Sequence, residues 1–495
     1  MKLAWMIGLL SCLGTFVAAA EPGASGLPRS TPAEQGVDAR GLLGFVAALD
    51  EKVEGMHGVV VVRHGKVVAE GWWKPYAAET PHALYSLSKS FTSTAVGLAI
   101  AEGKLRLDDP VLKFFPADAP SDPSKNLRSM RVADLLRMST GHQAEPRVGM
   151  GDKEPWTKTF LAQPVPNKPG THFLYNTPAT YMLSAIVQQV TGQTVLDYLR
   201  PRLFDPLGIK DPTWGTSPQG VSLGGYGLSI RTEDIAKFGQ LYLQKGKWRG
   251  QQLVPESWVD AATARQTSNG SDPNTDWDQG YGYQFWRSRH DAYRGDGAFG
   301  QYCVVIPEQD TVVAINSGVK DMQAVLNVVW DHLLPALQPS PLPAADPAVL
   351  AKLTDRLANL GLAKPEGKPT TETAAQVAGK RFAFPTNPVK VEAATYRADP
   401  AGSLVLKVAG KDFSIPADGS WHKVRAAFGP LDEQTASACA TWTADDTLTA
   451  RIAFVETPFV ATAKLRFAAD EVKLDAESNV GFGATRMPTV TGKPE

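Results

Sequence analysis

The stretch Ala83-Leu-Tyr-Ser-Leu-Ser-Lys-Ser-Phe-Thr-Ser-Thr94 sets two serines, Ser86 and Ser88, beside one lysine, Lys89. A serine hydroxyl becomes a nucleophile when a neighbouring base takes its proton, and an unprotonated lysine amine is such a base. Side chains three apart on a helix share a face, whereas immediate neighbours do not. Ser86 can therefore meet the Lys89 amine and Ser88 cannot. Ser-x-x-Lys alone is weak evidence, because ordinary composition produces roughly one or two matches in a chain of this length. Taken alone, Ser86 is a helix N-cap and Lys89 a solvated lysine.

Three neighbouring features favour chemistry. The helix after Ser86 is small and apolar (Thr94-Ala-Val-Gly-Leu-Ala99), which predicts a buried helix. Tyr175 stands in Pro169–Gly192, in a loop just before a helical pattern. The run Tyr293-Arg-Gly-Asp-Gly-Ala-Phe-Gly-Gln-Tyr302 leads into a strand, and its glycines let a substrate approach backbone N–H groups closely. Energy constrains the lysine. Bringing an amine from a pKa of ~10.4 to near 7 needs about 4–5 kcal/mol in favour of the neutral form. A helix N-terminus contributes only ~0.3–1 kcal/mol. Burial must supply the rest, or Tyr175 must act as a phenolate base beside a charged Lys89.

The elements that would position these residues follow from hydrophobic period. His57–Trp72 is two β-rich runs joined at His64-Gly65, and Gln301–Asn316 is a second pair turning at Pro307–Asp310. Helical spacing marks Ala39–Val53, Phe91–Glu102 (capped by Gly103), Val132–Met138, Pro178–Val190, Thr232–Lys245, Pro255–Ala262 and Asp321–Leu337. Strand pairs far apart in sequence and flanked by terminal helices predict an α+β domain with one antiparallel sheet, spanning 31–338. The helical insertion stands beside the sheet and leaves a cleft. Pro335–Pro347 is linker-like, and the connecting segment 339–360 ends in a short helix from about Ala348. Alternating runs such as Ser403–Val408 and Ala463–Phe467 then predict a smaller all-β domain over 379–490, a sandwich or barrel with no catalytic constellation.

Composition bounds the function. With 495 residues, two domains are expected. A formal net charge of −1 with no basic stripe argues against nucleic acid and anionic membrane surfaces as partners. Residues 1–20 have a lysine, an apolar run and Ala18-Ala19-Ala20, the pattern of an export leader cleaved before Glu21; lipid attachment at Cys12 is the minor alternative. Only Cys303 and Cys439 follow, as one bridge or two buried thiols. No His-Glu-x-x-His or Cys-x-x-Cys pattern is present, so no metal site is expected.

Taken together, the three ordered motifs resemble the penicilloyl serine transferase superfamily: serine β-lactamases, D,D-peptidases and the related esterases and amide hydrolases, including those similar to 6-aminohexanoate-dimer hydrolase. Ser86 and Lys89 match its Ser-x-x-Lys pair, and Tyr175-Asn176-Thr177 its Tyr-x-Asn element. Gly295-Asp296-Gly297 stands where the family has a Lys-Thr-Gly strand triplet. The resemblance runs from about Pro32 to Leu337 and includes Gly225–Gln240. It implies acyl transfer through an ester on Ser86, with Lys89 and Tyr175 moving the proton. The oxyanion would be held by the Ser86 N–H and one from the strand at Gly295, Gly297 or, best placed, Ala298. Asn176 and Thr177 become candidate substrate contacts, and no cofactor is implied.

Two departures matter. Thr177 replaces an asparagine and, followed by Pro178, is equally suited to cap a helix. The strand triplet has no lysine to hold a substrate carboxylate. Asp296 there argues against a β-lactam, and Arg287, Arg289 and Arg294 are expected to be solvated. The favoured expectation is an exported carboxylesterase-like hydrolase of a small ester, followed by small-amide or D-peptide hydrolysis. A β-lactamase or D,D-carboxypeptidase, and a binding protein that kept the fold, are the alternatives.

Overall fold

The computed structural model describes residues 26–149, 151–339, 341–399, 402–428 and 431–495. The leader expected at residues 1–20, with Cys12, lies outside them. Helix α1 (Ala39–Lys52) precedes the hairpin β1 (Met56–Arg63) and β2 (Lys66–Trp72). His64 and Gly65 make its turn, both in the left-handed region (φ 50° and 74°), as a two-residue turn matching the strand twist requires. Three helices of the insertion bear on the site: α2 (Ser88–Ala101), α3 (Thr177–Thr191) and α4 (Thr232–Leu243). The chain then returns through β3 (Trp286–Arg287), β4 (Tyr293–Gly297), β5 (Gln301–Ile306) and β6 (Thr311–Ser317).

These strands form one antiparallel sheet in the order β2-β1-β6-β5-β4-β3. The run Val59–Val62 is buried throughout because both faces of the sheet are covered. Side chains alternate across a strand. Val59 and Val61 accordingly join Phe45, Leu49 and Trp330 under the terminal helices. Val60 and Val62 join Phe91 and Phe238 under the insertion. After β6 the helix α5 (Met322–Val328) is shorter than the period predicts. It passes into a π-helical turn, Val329–Leu333, and a 3₁₀ turn, Leu334–Ala336, approaching Pro335, which has no N–H to donate.

The helix of the connecting segment, α6 (Pro347–Ala358), is docked on this domain. Arg356 pairs with Asp50 (2.9 Å) and Glu51 (2.8 Å) of α1, and Leu353 and Leu360 enter the terminal-helix core. Beyond it a ten-stranded antiparallel sheet curls into a near-barrel around Phe382, Leu404, Trp442, Leu448 and Phe467. Cys303 and Cys439 are separate buried thiols, one in each domain. Among the described residues no helix is long and apolar enough to cross a membrane.

Candidate active site

Ser86 lies in a 3₁₀ turn, Tyr85–Leu87, that leads directly into α2. The helix N-cap is Leu87, without a side-chain cap, so the capping role available to Ser86 is not the one it takes. Tyr85 is held at φ 49°, a conformation that costs a bulky residue roughly 1–3 kcal/mol. Strand β4 abuts this turn from the other side. A Cβ on Gly297 would overlap the Leu84 carbonyl, and one on Gly295 would overlap Leu87. The two glycines of the triplet thus let the strand press against the serine turn. Ala298 follows at the partly exposed end of β4.

Lys89 is 1% exposed, so a solvated lysine is excluded. Its Nζ lies 3.0 Å from Ser86 Oγ, donates to the Gly225 carbonyl at 2.8 Å and stands 3.4 Å from Thr177 Oγ1. Burial lowers its pKa to about 7, against the opposing pull of Glu145 and Asp296. That shift corresponds to about 4–5 kcal/mol in favour of the neutral amine, and desolvation supplies it.

Tyr175 joins the pair. Lys89 Nζ is 4.9 Å from its ring centroid, which places the phenol ring beside the Ser86–Lys89 pair. The ring stacks on Trp286 at 5.5 Å and meets Tyr281 edge-on at 6.3 Å. Burial pushes the phenol well above its ordinary value, helped by the charges of Asp296 and Glu145, so Tyr175 stays protonated at neutral pH. Of the other aromatics near the motifs, Tyr283 and Phe285 belong to the core.

The residues after Tyr175 divide differently from expectation. Asn176 caps α3: its side chain accepts from Ala179 N at 3.0 Å and donates to Thr140 Oγ1 at 3.1 Å. It is wholly buried, and the cap expected at Thr177 is this asparagine. Thr177 is the first helical residue. It is free to turn its hydroxyl to Lys89, while its N–H donates to Glu145 Oε1 at 2.7 Å.

The arginines also depart from expectation. Arg294 is fully buried, pairs with Asp296 at 2.9 Å and lies over the rings of Trp277 and Trp286. Arg289 is bound to the buried Asp276 at 2.9 Å. Asp296 is 7% exposed, and burial raises its pKa in spite of Arg294 and Lys89. His82 and His57 face one another at 3.1 Å, and His142 faces Thr140 at 2.8 Å. None of these contacts forms a Ser-His pair.

Period and motif missed three positioning groups: the Gly225 carbonyl, Glu145 and Gln284. Gln284 accepts from Thr180 at 2.6 Å and donates to Leu136 O at 2.7 Å, while its own carbonyl accepts from Ser90 of α2 at 2.8 Å. Only its left-handed backbone (φ 65°) sets it apart, and that is invisible in a sequence. Ser88 is buried and accepts from Leu228 N at 3.2 Å, tying α2 to the segment that carries Gly225.

The Beta-lactamase family profile matches residues 38–325, more than half of the chain and the whole of this site. The chain belongs to the β-lactamase family. It is a serine hydrolase with the family's fold, extended by the near-barrel. The family relatives include a 6-aminohexanoate-dimer hydrolase from Paenarthrobacter ureafaciens, 26% identical over 307 residues, 57% of this chain and 78% of that protein. Penicillin-binding protein 4 of Amycolatopsis lactamdurans is 27% identical over 284 residues, 47% of this chain and 71% of that protein. Among solved structures, the octameric penicillin-binding protein homologue from Pyrococcus abyssi aligns over 91% of this chain and 99% of that one, with 18% identity and a TM-score of 0.47.

Proposed function

We propose that this protein hydrolyses a small carboxylic ester through an acyl-enzyme on Ser86, with Lys89 as general base and Tyr175 as the proton carrier. The observation that carries the reading is the buried Lys89 amine, 3.0 Å from Ser86 Oγ with its pKa at about 7. An amine there is half neutral at neutral pH, and the Gly225 carbonyl orients it. Lys89 takes the Ser86 proton as Oγ attacks the carbonyl. The N–H groups of Ser86 and Ala298 hold the oxyanion. The neutral Tyr175 hydroxyl passes a proton to the leaving oxygen and recovers one from Lys89. Water then repeats the sequence on the acyl ester and frees Ser86.

Asp296 supports an uncharged substrate. Asp296 occupies the buried Arg294 at 2.9 Å, so the strand, among the described residues, presents no free cation to hold a substrate carboxylate such as that of a β-lactam. Linear amides are the second reading, supported by the relative named for hydrolysis of the 6-aminohexanoate dimer. The leader pattern at residues 1–20 supports an exported enzyme. Mass spectrometry after exposure to a fluorophosphonate and, separately, to penicillin tests the proposal. An adduct on Ser86 from the fluorophosphonate only, with turnover of simple esters, is expected. A lasting penicilloyl adduct or rapid penicillin hydrolysis contradicts the substrate class. No fluorophosphonate label and no ester turnover contradict catalysis altogether.

A further inference from the structure

Three aromatic side chains from both domains converge on Tyr85, the residue before Ser86. Tyr85 meets Phe299 edge-on at 5.6 Å, Phe459 at 6.5 Å and Phe482 at 5.8 Å. Phe299 in turn lies 4.8 Å from Phe482 and 5.8 Å from Phe459. Tyr85 and Phe299 are both non-glycine residues in the left-handed region (φ 49° and 67°), a costly arrangement for aromatic residues. Phe459 and Phe482 come from the near-barrel. Phe482 is 79% exposed, the most exposed large hydrophobic side chain among the described residues.

The barrel loops that carry these two rings are pinned to the catalytic domain. The Glu456 carbonyl accepts from Ala83 N at 2.8 Å, and the Thr457 carbonyl from Tyr76 Oη at 3.3 Å. Asn479 donates to Gly318 O at 2.8 Å and to Pro458 O at 2.9 Å, binding one loop to the other and both to the end of β6. The fixed, exposed Phe482 ring extends the partly buried Tyr85, Phe299 and Phe459 into one apolar surface, whose covering by a bound apolar group would be favourable.

We propose that Tyr85, Phe299, Phe459 and Phe482 form a subsite for an apolar group of the substrate, so that the near-barrel sets specificity at Ser86. The inference rests on Ser86 being the nucleophile. The apolar group is either the acyl chain or the leaving alcohol, and both would be recognised by the same contacts. Its place beside the serine turn makes the occupant part of the molecule being attacked.

The test is kcat/KM of the full chain and of Phe482→Ala, Phe459→Ala and Phe482→Leu on methyl acetate, methyl octanoate and benzyl acetate. Both alanine variants are expected to lose about 10-fold on methyl octanoate if the acyl chain binds there, or on benzyl acetate if the alcohol does. Methyl acetate should change less than about twofold. Phe482→Leu, which keeps an apolar surface, should recover most of the loss. Equal losses on all three esters, or no loss on any, overturn the subsite. If the parent chain turns over none of them, the labelling rate of Ser86 by methyl and octyl fluorophosphonates takes their place, with the same split expected for the octyl probe. Failure of both probes to label Ser86 overturns the nucleophile assignment and this subsite with it.

Discussion

The interior of the near-barrel is made of Phe382, Leu404, Trp442, Leu448, Leu465 and Phe467, whereas α2 buries Ser88, Lys89, Ser90, Thr92, Ser93 and Thr94. Both are closed to water, yet they depend on different forces. The barrel strands alternate, as in Val460–Phe467 and Val472–Ser478, and their apolar faces meet in one core. Helix α2 is held by hydroxyls aimed at backbone carbonyls: Ser90 to Gln284, Thr92 to Gly224 and Ser93 to Tyr283, all within 2.9 Å. A buried hydroxyl without such a partner costs roughly 1–3 kcal/mol. The barrel interior contributes stability, and the α2 region spends stability on burying the polar groups that place the Lys89 amine against Ser86.

Substitutions can break this contrast, beginning with the largest effect. Lys89→Met fills the same space without an amine, and kcat/KM for any substrate should fall by about 10³ or more while the fold survives. Equal activity in the variant would remove the lysine from the mechanism. Gly297→Ala places a Cβ against the Leu84 carbonyl and must displace β4 from the serine turn. A shift of about 1 Å there should cost about 10²-fold in kcat, read at unchanged secondary structure by circular dichroism. In the barrel, Leu448→Ala should lower unfolding free energy by about 2–4 kcal/mol in urea and leave methyl acetate hydrolysis unaltered. A loss of activity as large as its loss of stability would erase the distinction between the regions.

The same contrast explains what could be read from the chain. The central strands announce themselves by short β-branched apolar runs buried on both faces, as in Val59–Val62, and most helices by period, because one face of each meets a core. The Ser86–Lys89 spacing was visible for the same reason: one turn of helix fixes it. Arg294 was not visible, since its burial depends on Trp277, Trp286 and Asp296 assembling around it from separate segments. Nor was the division of labour between Asn176 and Thr177, since either residue type caps a helix, and the buried partner of Asn176, Thr140, lies 36 positions away. The aromatic convergence at Tyr85 joins residues almost 400 positions apart, from Tyr85 to Phe482, and no local pattern encodes it.

The central claim is that Ser86 is activated by a lysine kept neutral through burial, and the rate of Ser86 labelling by a small fluorophosphonate as a function of pH tests it most directly. Burial lowers the Lys89 pKa to about 7, so the neutral base is lost as pH falls through that value. The rate should rise about tenfold per pH unit below 7, level off above 8, and lose this step in Lys89→Met. A rate independent of pH across this range, or one still climbing towards pH 10 as for an ordinary lysine or a tyrosine phenolate, would contradict the account.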